Sequence, residues 1–106
     1  MSQTRLEALQ QFLEKEPNDS FTRYAIALEY ASLNDFQKAT ASLEELIKAD
    51  PDYSPAYQQL GSIFTQLDRK KEARKIYEKG IQIATANGDL HAVQEMKDAV
   101  EEMGKE

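Results

Sequence analysis

One histidine, no cysteine and a few adjacent carboxylates are the chemically versatile groups of this chain. A metal centre or a nucleophilic triad needs several such groups converging, and His91 has neither a cysteine nor a second histidine to join it. Glu44-Glu45 and Glu101-Glu102 are each neighbours in sequence. Adjacent residues on a helix point in different directions, so these pairs read as solubilising charge and not as an acid-base pair. The four glycines, at 61, 80, 88 and 104, are scattered and form no phosphate-cradling loop. Arg69, Lys70, Lys71, Arg74 and Lys75 make one basic cluster, interrupted by Glu72 and faced by Glu78. It reads as the solvated start of a helix. No catalytic constellation emerges, and the expectation is a protein that is not an enzyme and needs no metal or cofactor. Function then has to come from the surface that the helices build.

At 106 residues the chain has the size of one domain with a real core. Its 30% charged and 41% hydrophobic residues suit a folded, soluble chain. A net charge of −6 disfavours nucleic acid and anionic membrane, since both would repel an acidic surface unless a basic patch were segregated on it. Without cysteine there is no disulfide framework and no thiolate site. No apolar run approaches membrane-spanning length, and the N-terminus lacks the basic-then-apolar shape of a signal peptide. A cytoplasmic location is the expectation.

Pro17 and Pro51 recur at a fixed interval, and the pattern of large and small apolar residues repeats at that same offset. Laying 20–53 over 54–87 gives only five identities: Ser20/Ser54, Leu33/Leu67, Ala39/Ala73, Glu44/Glu78 and Ile47/Ile81. What recurs is size. Ile26 meets Leu60, Ala27 meets Gly61, Tyr30 meets Phe64, and a small Ala opens both second helices. Small residues in register with large ones let helices approach closely and interdigitate.

Six helices are predicted, at 3–15, 20–33, 36–49, 54–67, 70–85 and 89–103. The segments around Pro17 and Pro51 end one helix and offer a side-chain cap to the next, with Pro55 as a ready first helical residue. Asn34-Asp35 and Asp68-Arg69 supply turns that tolerate a left-handed residue, and Asn87-Gly88-Asp89 supplies the last stop. With connections this short, successive helices pack antiparallel.

These residues, and the interval between the two prolines, resemble the tetratricopeptide repeat family. The second unit shows its pattern in Tyr57, Leu60-Gly61, Phe64, Ala73, Tyr77 and Gly80; the first shows it in Ile26-Ala27, Tyr30, Ala39, Leu43 and Pro51. Arg23 departs from the family, standing where a bulky residue is usual, and so does Leu46, where a small one is usual. Both departures should weaken the first unit's contact with a preceding helix. Beyond Gly88 the pattern stops, and Leu90, Val93, Met96, Val100 and Met103 form an apolar stripe suited to a capping helix. The resemblance implies an all-α, right-handed solenoid of antiparallel helical hairpins forming a single domain over 1–106: a half-repeat at 1–19, repeats at 20–53 and 54–87, and a capping helix at 88–106.

In that family the first helices of successive repeats line a concave groove that holds a partner helix or peptide. By resemblance the groove positions are Phe21, Tyr24, Leu28 and Ala31, followed by Pro55, Gln58, Gln59, Ser62 and Thr65. None of them is cationic, so the Lys, Asn and Arg clamp with which some relatives hold a C-terminal carboxylate is not expected. The residues themselves add that helix 20–33 is apolar nearly all round, with Tyr24 and Leu28 away from Ile26, Ala27 and Tyr30. That second face is covered either within the molecule, by helix 3–15 or by Val93 and Met96, or by a partner. A protein-protein interaction module binding a partner of unknown identity is the leading reading. The alternative is a self-associating structural element, a homodimer through Leu6, Leu9, Phe12 and Leu13, which lack a preceding helix.

Overall fold

Prolines and left-handed Asn and Asp residues cut the chain where the sequence predicts. The structure, a computed structural model, describes residues 4–105. Its six helices are α1 (Arg5–Lys15), α2 (Ser20–Ser32), α3 (Phe36–Ala49), α4 (Ser54–Gln66), α5 (Lys70–Asn87) and α6 (Leu90–Met103). Among the described residues there is no strand. The fold is an all-α helical repeat, as expected. Residue 3 of the predicted first helix lies outside the described residues. The chain divides at Asp50/Pro51 into one unit holding α1, α2 and α3 and another holding α4, α5 and α6.

Three of the turns share one construction. Asn34 (φ 61°), Asp68 (φ 58°) and Gly88 (φ 74°) are left-handed. After each of them the next amide reaches back along the helix, from Asp35 to the Tyr30 carbonyl (2.9 Å), from Arg69 to that of Phe64 (2.8 Å), and from Asp89 to that of Ala84 (2.9 Å). This closing pattern satisfies carbonyls that the helix end would leave bare. Asp19, Asp35 and Asp89 then cap α2, α3 and α6 through their side chains. Thr4 and Glu7 form a reciprocal capping box on α1. The start of α4 differs from expectation: Ser54 is its first residue and Pro55 its second. A proline fits at either place, because the donor it lacks has no helical partner there.

In the first unit Ala25, Ile26, Ala27, Ala39, Leu43 and Leu46 are buried. Helix α1 buries no residue fully; it meets α2 through Arg5 to Glu29 (3.2 Å) and Gln10 Nε2 donating to the Tyr30 hydroxyl (3.2 Å). In the second unit Tyr57, Leu60, Ile63 and Met96 are fully buried, with Ala73 and Ala84 beside them. Both core glycines mark close approaches. A Cβ on Gly61 would lie 2.5 Å from Tyr77 Cε1, and one on Gly80 would lie 2.7 Å from both Met96 Sδ and Tyr57 Cβ. The cap stripe is corrected at one end: Leu90 is 73% exposed, and Ala92 is buried with Val93, Met96 and Met103. Leu90 is the first residue of α6.

Arg23 looks like a defect in the repeat, and the structure gives it a task. Its guanidinium donates to the Pro17 carbonyl through Nε (3.1 Å) and Nη2 (2.9 Å). Tyr57, the counterpart of Arg23 in the next repeat, donates its hydroxyl to the carbonyl of Pro51 (2.7 Å), itself the counterpart of Pro17. Each unit thus ties its proline turn to its own helix with a donor at the same repeat position. Tyr57→Phe, which keeps the ring and removes the donor, should cost about 0.5–1.5 kcal/mol. Urea unfolding checks this, and an unchanged midpoint would show the bond to be incidental.

Candidate functional site

On α2 the four groove positions differ in how far they are spent. Phe21 is 69% exposed, whereas Tyr24, Leu28 and Ala31 are half-buried. Burial pushes the Tyr24 hydroxyl above its ordinary pKa. Two polar contacts of α1 fall on Glu29 and Tyr30, which lie roughly 100° and 200° around the helix from Leu28.

On α4 the row is polar. Pro55, Gln58, Gln59, Ser62 and Thr65 are described as follows by the structure: Pro55, Gln58, Gln59 and Ser62 are half-buried, and so is Thr65. Gln58, Gln59 and Ser62 have no side-chain hydrogen-bond partner among the described residues, and they follow one another at spacings that put them on one stripe of the helix. Together they offer amide and hydroxyl groups with unspent donors and acceptors. Thr65 differs. Its hydroxyl donates back to the Gly61 carbonyl (2.9 Å) and lies 3.9 Å from Met103 Sδ of α6. Beside it the Tyr77 hydroxyl is pushed up by burial, with Thr65 pulling the other way. Thr65 is thus committed to the packing of the second unit, which its place in the row did not reveal.

Comparison with known proteins bears on this arrangement. The profile of the tetratricopeptide repeat family matches residues 1–84. The chain belongs to the tetratricopeptide repeat family. Among solved structures it is similar to a tetratricopeptide repeat domain protein from Salinibacter ruber at 38% identity, over 81% of this chain and 87% of that one, with a TM-score of 0.78. A protein from Bordetella parapertussis is 25% identical over 98% of this chain and 90% of that one, with a TM-score of 0.85. A third, YrrB, described as a tetratricopeptide repeat protein with an unusual peptide-binding site, shares the fold at 24% identity, over 91% of this chain and 50% of that one, with a TM-score of 0.71. Among curated proteins no relative is found.

Members of this family act in general as non-catalytic interaction scaffolds, and nothing at the other candidate groups argues for chemistry. His91, largely exposed, sits 3.2 Å from Glu95 on the same helix. Among the described residues no group of three His, Asp or Glu side chains could hold a metal ion, and no helix is long and apolar enough to cross a membrane. The cations that a carboxylate clamp would need on α2 and α4 stand elsewhere: Lys70, Lys71, Arg74 and Lys75 line, with Glu78, an open-sided depression of about 330 Å³ on α5. The sequence pattern alone marks this cluster as a solvated helix start and does not show the depression.

Proposed function

We propose that this tetratricopeptide repeat protein is a non-catalytic protein-protein interaction module that holds a partner helix or short peptide against the first helix of each repeat. The segments 1–19, 20–53, 54–87 and 88–106 act in this reading as one domain. Phe21, Tyr24, Leu28 and Ala31 supply the apolar contacts on α2. Pro55, Gln58, Gln59 and Ser62 supply the polar ones on α4, with Thr65 at the end of that row. The observation that carries the reading is the stripe of Gln58, Gln59 and Ser62: half-buried, spaced along one side of α4 and without hydrogen-bond partners among the described residues. Amides and hydroxyls so placed can pair with the backbone or side chains of a bound segment. That a protein of the same fold is described as having a peptide-binding site is in keeping with it.

The double change Tyr24→Ala with Leu28→Ser tests the proposal. Peptides selected on the wild-type protein from a displayed library should lose at least about 2 kcal/mol of binding, roughly thirtyfold in affinity, while helicity stays near wild type. A large fall in melting temperature with no selective binding defect would mean that both side chains are core and would remove them from the surface. A second reading rests on α1, where Phe12 is 50% exposed and Leu6, Leu9 and Leu13 are positioned along the same helix. Self-association through that helix would appear in light scattering as a mass that rises with concentration; a constant monomer mass excludes it.

A further inference from the structure

The first turns of α5 break two rules of helix electrostatics at once. A helix start favours anions, because its unpaired amides and its dipole present positive charge there. Here Lys70, Lys71, Arg74 and Lys75 occupy it, and Arg69 at the cap position makes no side-chain capping bond. The pairs Lys70/Arg74 and Lys71/Lys75 also place like charges one helical turn apart, where they repel. From 69 to 75 the chain carries a net +4 within a total of −6, which leaves −10 on the remainder.

The one carboxylate inside the cluster is already spent. Glu72 receives the Arg69 guanidinium at 2.6 and 2.8 Å, and that hydrogen bond holds the Glu72 carboxyl below its ordinary range. Arg69 in turn stacks 4.6 Å from the Phe64 ring centroid. Lys71, Arg74 and Lys75 form no ion pair among the described residues, and Glu78 is the single carboxylate lining their depression. The inner side of the same helix is occupied by Ala73, Tyr77 and Gly80, all buried. The basic residues therefore face outward, away from the packed side of α5.

We propose that this face of α5 binds an acidic peptide segment of a protein partner, with two or three carboxylates pairing with Lys71, Arg74 and Lys75 across the depression. An incoming anion relieves both the like-charge repulsion and the mismatch with the helix start. A short segment fits better than a long polyanion. From Lys70 to Lys75 the helix rises only about 8 Å, close to the distance over which salt screens charge, so a peptide meets the patch while a duplex or a membrane also meets the acidic remainder.

The test is fluorescence polarisation with a short labelled peptide alternating glutamate pairs with single leucines. Expected is saturable binding that weakens as salt is raised and falls at least about tenfold in the variant Lys71→Glu, Arg74→Glu, Lys75→Glu. Amide resonances of α5 should move on titration, and the Tyr24→Ala, Leu28→Ser variant should bind this peptide normally, which separates the result from the proposal for α2 and α4. The milder variant Lys71→Gln, Arg74→Gln, Lys75→Gln should lose affinity to a smaller degree with an unchanged circular dichroism spectrum. Absence of saturable binding, or equal binding by the charge-reversed variant, overturns the proposal. So does tighter binding of a labelled oligothymidylate or of phosphatidylserine vesicles than of the peptide.

Discussion

Replacing Gly61 with leucine should lower the melting temperature by roughly 12–24 °C, the shift expected from about 3 kcal/mol of overpacking in a domain of this size. Even a single carbon at this position would lie 2.5, 2.7 and 2.8 Å from three atoms of the Tyr77 ring, and that ring is itself buried. An aromatic ring packed in a core cannot swing aside like the end of a flexible chain, so α4 and α5 would have to separate. That places the cost at the upper end of the usual range, and each kcal/mol moves the midpoint by roughly 4–8 °C. Gly88→Ala provides the contrast. Nothing lies within 4 Å of a Cβ there, and the only penalty is the left-handed backbone at φ +74°, about 1–2 kcal/mol. Thermal melts of the two variants separate packing from backbone freedom; an unchanged midpoint for Gly61→Leu would mean that the two helices do not meet at Tyr77.

That Gly61 holds a small-residue position was legible in the sequence because helix packing repeats. A large residue at one offset demands a small one at another, and that demand returns one repeat later, pairing Ala27 with Gly61 and Ala39 with Ala73. The turns were legible for a related reason, since few residue types accept a left-handed backbone, and Asn34 and Asp68 are among them. Size patterns do not display hydrogen bonds. Arg23 and Tyr57 share neither shape nor charge, yet each donates to the carbonyl of the proline that precedes its helix, and a comparison by bulk made Arg23 a defect. The capping box of Thr4 and Glu7 follows a Thr-x-x-Glu spacing and places the first helix start at Arg5.

The candidate surfaces were less legible. Register alone assigns Thr65 to the same row as Gln58 and Ser62, but whether a hydroxyl is available depends on α6, whose Met103 reaches its side and whose position the repeat pattern does not encode. The basic cluster on α5 shows the same limit. Its charges can be counted in the sequence, whereas the allocation of Glu72 to Arg69, which leaves Lys71, Arg74 and Lys75 facing a depression without it, requires coordinates. Packing constrains every repeat alike and leaves a periodic trace; a ligand constrains a few side chains once.

Truncation after Gly88 should unfold the second unit. Helix α6 contributes Val93, Met96 and Met103 to its buried side chains, and Met96 is fully buried where a Cβ on Gly80 would touch its sulfur. Burying a side chain of this size is worth about 1.5–3 kcal/mol, so losing three removes roughly 5–9 kcal/mol, as much as the whole stability of many domains. The loss extends to α4 and α5, because Tyr57 and Gly80 would then face water along the surface that Met96 covers. Circular dichroism of the truncated chain should show a broad, early transition, and light scattering should show aggregates formed through the exposed side of α5. Met96→Ala is the local version, with an expected cost of about 2–5 kcal/mol from lost contacts and the cavity left behind. Wild-type melting in the truncated protein would make α6 a tail that the hairpin does not need. Early melting in the truncated protein together with normal melting in Met96→Ala would assign the stabilisation to the other buried side chains of α6, Val93 or Met103 beside Thr65, and remove Met96 from the centre of the interface.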